Sequence, residues 1–208
     1  MIDPAKIKLV GLDCDGVMFD SSNANRAYYN HLLDHCGLPA MTPAQSAFAQ
    51  MHTVDESLDF LIHDADLLAA VRRHRHGITY LDFVRYMVIE PSLKPLLDKL
   101  KPDYKVAVAT NRTDTMGRVL EEHGLAGRFD LVVTAADVRY PKPHPEMLQV
   151  ILDKFAIRPA EMIYIGDSLL DAQAARAASI PFVAYHNSQL DCAARVRNLN
   201  EVKSILGL

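Results

Sequence analysis

The feature that most constrains the fold is a strict alternation in the second half of the chain. Short apolar runs at Lys105–Ala109, Leu131–Thr134, Met162–Ile165 and Phe182–Tyr185 are separated by longer stretches with helical spacing of their apolar residues. Runs this short with little polar interruption read as strands buried on both faces, which is the habit of parallel rather than antiparallel sheets. The intervening segments read as helices at Thr113–His123 (closed by Gly124), at 145–155 and at Leu169–Ala178, and a last helical stretch follows the fourth run. Strand–helix alternation of this kind predicts an α/β fold, a Rossmann-like parallel sheet with helices on both faces. Right-handed crossovers bring the carboxyl ends of such strands to one edge, and ligands bind at that edge.

A fifth run, Leu9–Leu12, opens the chain and supplies another strand. Between it and Pro91 the pattern is helical only. Ser21 and Ser22 can cap a helix to about Cys36, with Gly37 placed for the left-handed turn beyond it. Thr42-Pro43-Ala44-Gln45 and Thr53-Val54-Asp55-Glu56 are capping-box patterns, and Thr79 can cap a further helix through Val84 and Met87. Residues 1–20 and 91–208 are therefore expected to form the α/β core. Residues 21–90 form an inserted all-helical cap.

Composition excludes several classes. The net charge of -4 gives no reason to expect nucleic acid as a partner. No apolar run approaches the roughly 18 residues that span a bilayer, and the first one ends in Asp13, unlike a signal peptide. Cys14, Cys36 and Cys192 are odd in number and lack metal-site spacing, which points to a reduced, cytoplasmic setting.

The strand ends carry the chemistry. Asp13 and Asp15, two apart after the first strand, start on the same side of the chain. Such a pair calls for a cation between the carboxylates or a shared proton, and Gly16 lets the backbone turn there. After the second strand comes Thr110-Asn111-Arg112, whose hydroxyl and amide can donate to a phosphate oxygen. After the third, prolines at 141, 143 and 145 stiffen a loop that presents Lys142 to a phosphoryl group or a carboxylate. The fourth ends in Gly166-Asp167-Ser168-Leu169-Leu170-Asp171, where Asp167 and Asp171 can face one way at a helix start. Hard oxygens gathered at one edge suit Mg²⁺.

In these four motifs the chain resembles the haloacid dehalogenase superfamily of phosphatases, and within it the phosphoglycolate phosphatase and β-phosphoglucomutase branch with a small helical cap. The resemblance runs from about Lys8 to the end. It implies that Asp13 is a nucleophile that becomes an aspartyl-phosphate, and that Asp15 acts as general acid and then base. It implies Mg²⁺ held by Asp13, the main-chain carbonyl of Asp15 and Asp167, with Asp171 acting directly or through water. Thr110, Lys142 and the backbone N–H groups from Cys14 to Gly16 would hold the phosphoryl oxygens, joined by Asn111 and Arg112. An acid at position 15 argues for phosphate esters rather than halides. The expected substrate is a small phosphorylated metabolite and the expected assembly a monomer or homodimer. A phosphosugar mutase and a catalytically idle binding protein are the alternatives.

Relatives have glycine where this chain has Ser179, which is tolerable if the backbone there is not left-handed. The Cys14 thiol is expected to pack, its pKa raised by the two flanking carboxylates. In the insertion, Tyr28, Tyr29, His31 and above all His52 are candidates to face the substrate. The Arg72-Arg73-His74-Arg75-His76 cluster would either attract a second anionic group or simply favour a helix end.

Overall fold

The computed structural model describes residues 2–51 and 54–208. His52, and the capping box expected at Thr53, lie outside the described residues. The chain divides into two compact units, Met1–Asp20 with Ile89–Leu208, and Ser21–Val88.

The first unit is built on a sheet of β1 (Leu9–Leu12), β4 (Lys105–Thr110), β5 (Leu131–Thr134), β6 (Met162–Gly166), β7 (Phe182–Tyr185) and β8 (Ala194–Val196). Their order is β5-β4-β1-β6-β7-β8, and every neighbouring pair is parallel. Both faces are buried. Leu9, Ala107, Ala109, Met162 and Tyr164 pack into one apolar cluster with Met147, Leu148 and Ile151 of α7 (Glu146–Phe155) and Ala174 and Ala175 of α8 (Leu169–Ala177). The alternate positions Val10, Leu12, Val106, Val108, Ile163 and Ile165 are buried too, as the period-two pleat requires for a sheet covered twice. Helix α5 (Leu93–Leu100) buries Leu93, Leu96, Leu97 and Leu100, spaced to make one stripe. Each such leucine contributes about 1.5–3 kcal/mol by leaving water. Helices α6 (Met116–Glu122) and α9 (Val202–Leu206) complete the unit.

Strand order reverses between β1 and β6. From β1 the chain moves outward through β4 to β5, then returns to β6 on the other side and continues to β7 and β8. The carboxyl ends of β1 and β6 therefore flank the crevice where open parallel sheets bind ligands.

The second unit packs α1 (Ser22–His35), α2 (Pro43–Met51), α3 (Val54–Leu61), α4 (Ala65–Arg75) and a 3-10 segment at Tyr80–Tyr86. Its core holds Tyr28, Tyr29, Leu32, Leu33, Leu58, Ile62 and Val71. Gln45 and Thr42 close the expected capping box at α2 by reciprocal hydrogen bonds.

Several details differ from the sequence reading. Two-residue strands, β2 (Phe19–Asp20) and β3 (Val88–Ile89), pair with each other, so the stretch up to Pro91 is not purely helical. The segment after Thr79 is a 3-10 helix, although Thr79 does accept from the Leu81 N–H. Ser21 is the N-cap residue of α1 but makes no capping bond; its hydroxyl accepts from Gln50 instead. Helix α6 starts at Met116 rather than Thr113: Asp114 and Thr115 form a turn before it, and the Thr113 hydroxyl donates to the Asp114 carboxylate. The tail contains β8, an edge strand of three residues, before its helix. Ser179 has φ 58° and is left-handed after all, forced there by the turn in which the Ile180 N–H reaches back to the Ala175 carbonyl. All three cysteines are free, and among the described residues no helix is long and apolar enough to cross a membrane.

Candidate active site

At the carboxyl end of β1, the Asp13 N–H still donates to the Ile165 carbonyl of β6, which ties the start of the Asp13 loop to the crevice. Gly16 turns the loop with φ +81°, and a Cβ there would come within 2.0 Å of the Asp167 carboxylate. A matching glycine ends β6: a Cβ on Gly166 would stand 2.4 Å from that of Asp171. The two glycines thus clear the space that the two aspartates occupy.

Lys142 is buried at the centre. Its ammonium lies 2.7 Å from Asp13 Oδ1, 2.7 Å from Asp171 Oδ1, and 3.0 Å from both the Ala109 carbonyl and the Tyr164 hydroxyl. Of the two roles open to it, this structure shows it holding carboxylates. Burial works against its charge, but Asp13 and Asp171 outweigh burial and hold its pKa above the ordinary lysine value. The prolines are not its only support. Asn111 brackets the Lys142 backbone, donating to its carbonyl and accepting from its N–H, and Glu146 accepts from the N–H groups of Arg139 and Tyr140. Asn111 is therefore a positioning residue here, with its amide engaged on the loop rather than offered to a phosphate.

Asp15 has a cation of its own. The Arg112 guanidinium grips it with Nε and Nη2, each 2.7 Å from a carboxylate oxygen, and Nη1 donates to Thr115. The sequence reading gave Arg112 to the phosphate; the planar fork instead matches a carboxylate in the same crevice. The like-charge conflict between Asp13 and Asp15 is thus met by two side chains, Lys142 on one and Arg112 on the other. Thr110, the last residue of β4, is buried, and its hydroxyl accepts from the Arg112 N–H.

The remaining backbone and thiol groups are also placed. The Gly16 N–H donates to the Phe19 carbonyl, so it is committed within the loop and not held out to a ligand. The Cys14 side chain is buried, and burial first, then Asp15, pushes its thiol pKa well up; the flanking charges are secondary to burial. Tyr164 was missed by the sequence reading. A tyrosine in an otherwise aliphatic strand was its one signal, and its hydroxyl meets Lys142, Asp171 and the Ala109 carbonyl.

Asp13, Asp167 and Asp171 each offer an oxygen within 4.8 Å of the others. Asp171 is fully buried and engaged on both oxygens, by Lys142 and Tyr164 on one and by the Ser168 N–H and hydroxyl on the other. Burial and then Asp171 push the Asp13 pKa well up, and the same causes push Asp167 to about 6. With Asp15 neutralised by Arg112, three carboxylates face one ammonium. The donor set is hard, oxygen-only and two charges short of neutrality, which fits a divalent ion of the Mg²⁺ type. Asp13 and Asp167 are the two with capacity left to ligate it, and Asp171 supports them from behind.

The chain matches the model of the haloacid dehalogenase-like hydrolases over residues 11–185. It belongs to that family. It is 30% identical over 226 aligned positions to a phosphoglycolate phosphatase from Nitrosospira multiformis, covering 98% of this chain and 97% of the other. It is 29% identical to the pyrophosphatase PpaX of Bacillus pumilus over 185 positions, 85% of this chain and 82% of that one. Among solved structures, a HAD-superfamily hydrolase of subfamily IA, variant 1, from Geobacter sulfurreducens superposes with TM-score 0.92 at 36% identity, covering 97% of each chain. A β-phosphoglucomutase from Clostridium difficile shares the fold, with TM-score 0.73 at 18% identity over 97% of each chain. The chain is thus an enzyme of the haloacid dehalogenase-like hydrolases.

In the helical unit of this hydrolase, Tyr28 and Tyr29 are core residues and present no surface for a substrate. His31 is exposed, its ring against those of His74 and Phe83. Arg72 pairs with Asp59 and Arg75 with Asp55, both at 2.8 Å, so much of the basic cluster is balanced locally. The helix-end reading of that cluster is the one these contacts favour.

Proposed function

We propose that this HAD-like phosphatase hydrolyses a small-molecule phosphate monoester through an aspartyl-phosphate on Asp13, with Mg²⁺ as its cofactor. The observation that carries the reading is the charge arrangement around Asp13. One oxygen accepts from Lys142, and an Asp13 oxygen lies within 4.8 Å of an Asp167 oxygen, close enough to share a cation.

In the first half-reaction, a carboxylate oxygen of Asp13 attacks phosphorus, the bond to the ester oxygen breaks, and Asp15 gives that oxygen a proton. In the second, Asp15 takes a proton from water, the water oxygen attacks phosphorus, the bond to Asp13 breaks, and phosphate leaves. Burial and the Asp171 charge favour the protonated form of Asp13, and the Lys142 ammonium works against them, favouring the ionised nucleophile. The Thr110 hydroxyl, at the end of β4 beside this loop, is the side chain assigned to a phosphoryl oxygen. Asp13, Asp167 and the Asp15 carbonyl would hold Mg²⁺, with Asp171 behind them. When bound, the ion supplies positive charge to the phosphoryl oxygens as charge spreads over them. The relatives named for phosphoglycolate and pyrophosphate make small phosphorylated anions the substrate class to test first.

Phosphate release is measured across small phosphate esters and pyrophosphate, with Mg²⁺ or with chelator, using Asp13→Asn as the blank. Release that requires both Mg²⁺ and Asp13 is expected. Metal-dependent release by Asp13→Asn overturns the nucleophile. Transfer between the positions of a hexose phosphate, given its bisphosphate and with little free phosphate, replaces hydrolysis by the mutase reading.

A further inference from the structure

The peptide that joins Asp167 to Ser168 is held at both ends. Its N–H, on Ser168, donates to Asp171 Oδ2 at 3.1 Å. Its carbonyl, on Asp167, accepts from Asn187 Nδ2 at 2.9 Å. Gly16 leaves room for the Asp167 carboxylate but makes no bond to it. The backbone therefore decides where that carboxylate stands.

The reach of Asn187 is built into the turn that ends β7. His186 leaves the strand with φ 51°, a left-handed conformation that any Cβ disfavours, and its N–H donates to the Val196 carbonyl of β8. Asn187 follows, half-buried. Its Oδ1 accepts from the Gln189 N–H at 3.0 Å, an Asx turn that occupies the oxygen end of the amide. The NH₂ end is then turned to Asp167.

We propose that Asn187 is a positioning residue for the metal ion, holding the Asp167 backbone so that the carboxylate is in place before Mg²⁺ arrives. This rests on the reading of Asp167 as a metal ligand and adds to the site a fifth strand end, that of β7.

Two physical arguments support it. Rotation about the bonds flanking the 167–168 peptide would swing the Asp167 side chain, and bonds on both the carbonyl and the N–H oppose that rotation. A ligand fixed in advance spares the cost of ordering it on binding. Mg²⁺ is also the ion for which placement counts most. It demands near-ideal octahedral geometry, whereas the larger Ca²⁺ accepts irregular sets of oxygens. Asn187 is neutral, so its loss disturbs geometry and leaves the charge of the site unchanged.

The test uses the full chain stripped of metal. Mg²⁺ and Ca²⁺ are titrated calorimetrically into the wild type, Asn187→Ala, Asn187→Ser, Gln189→Ala and Asp167→Asn, and melting in chelator verifies that each is folded. Asn187→Ala should weaken Mg²⁺ binding by about 10–100-fold and Ca²⁺ binding by less than about threefold. Asn187→Ser keeps an acceptor for the Gln189 N–H, but its shorter side chain falls short of the Asp167 carbonyl, so it should lose Mg²⁺ affinity in the same way. Gln189→Ala keeps its backbone N–H and loses only a bond to the Ser188 hydroxyl, and should bind both ions as the wild type does. Asp167→Asn removes a charge and should weaken both ions. Wild-type Mg²⁺ affinity in the Asn187 variants, with affinity lost in Asp167→Asn, overturns the positioning role and leaves the metal site standing. Equal loss of Mg²⁺ and Ca²⁺ in the Asn187 variants also overturns it. Wild-type Mg²⁺ affinity in Asp167→Asn overturns the metal site and this role together.

Discussion

Arg112 and Asp15 are 97 residues apart in sequence and are joined in space by two hydrogen bonds of 2.7 Å. The fork holds Asp15 as an oriented carboxylate at rest; to carry a proton one of its oxygens must leave the guanidinium, and the fork sets the position from which it does so. Arg112→Ala should lower turnover of alkyl phosphates by roughly 10–100-fold, a part of what a general acid contributes. With p-nitrophenyl phosphate, whose leaving group departs without a proton, the loss should be only a few-fold. Equal losses on the two substrates would show that the grip serves something other than the proton. Arg112→Lys should behave nearly as badly as the alanine variant, because an ammonium cannot make both bonds in one plane.

Asp167 sets function against stability. Its folded pKa of about 6 lies above the ordinary 3.8, raised first by burial and then by Asp171. The folded chain therefore holds the proton more tightly than the unfolded one. The penalty is absent below about pH 3.8, grows as pH rises through this window, and is complete above about 6. The shift corresponds to about 3 kcal/mol. Asp167→Asn should accordingly be more stable than the wild type by about 2–3 kcal/mol at pH 8 in chelator, and nearly equal to it at pH 4. Mg²⁺ should stabilise the wild type and not the variant. Urea melts at the two pH values decide this, and a variant no more stable at pH 8 refutes it.

The same titration predicts the metal dependence of activity. Below about pH 6 a proton competes with Mg²⁺ for Asp167. The Mg²⁺ concentration for half-maximal rate should rise about tenfold per pH unit there and level off above it. A flat requirement from pH 5 to 8 would remove Asp167 from the metal site.

The glycines flanking the acids should be irreplaceable. Gly16→Ala strains a backbone at φ +81° and places a methyl 2.0 Å from Asp167 Oδ2. The conformational part alone costs about 1–2 kcal/mol, and displacing Asp167 should abolish metal-dependent turnover. Gly37→Ala is the control: φ is +68° but no atom lies within 4 Å of the added methyl, so stability should fall without loss of activity. Activity surviving in Gly16→Ala would mean that Asp167 is free to sit elsewhere.

Ser179 offers the opposite case. A serine at φ 58° bears a conformational cost that glycine does not. Ser179→Gly should stabilise the protein by about 1 kcal/mol and raise Tm by about 2–4 °C, with kcat unchanged. A fall in Tm would mean that the serine side chain has a contact worth more than the strain.

The sequence by itself determined the α/β architecture, because short uninterrupted apolar runs such as Val106–Ala109 and Ile163–Ile165 have no stable home except a sheet covered on both faces. It also determined which carboxylates and which lysine stand at the strand ends, since topology alone brings those ends to one edge. The three-residue β8 was not legible, because so short a strand exists only by pairing with β7. Nor was the left-handed turn at Ser179, which the return of the chain imposes against the residue's own preference. Partner choice was the largest matter left to tertiary structure. That Arg112 closes on Asp15, that Asn111 brackets Lys142, and that Tyr164 reaches the Lys142 ammonium depend on distances across three different strands. Local spacing specifies which groups arrive at an edge. Only the packed sheet fixes them within the few tenths of an ångström that decide who binds whom.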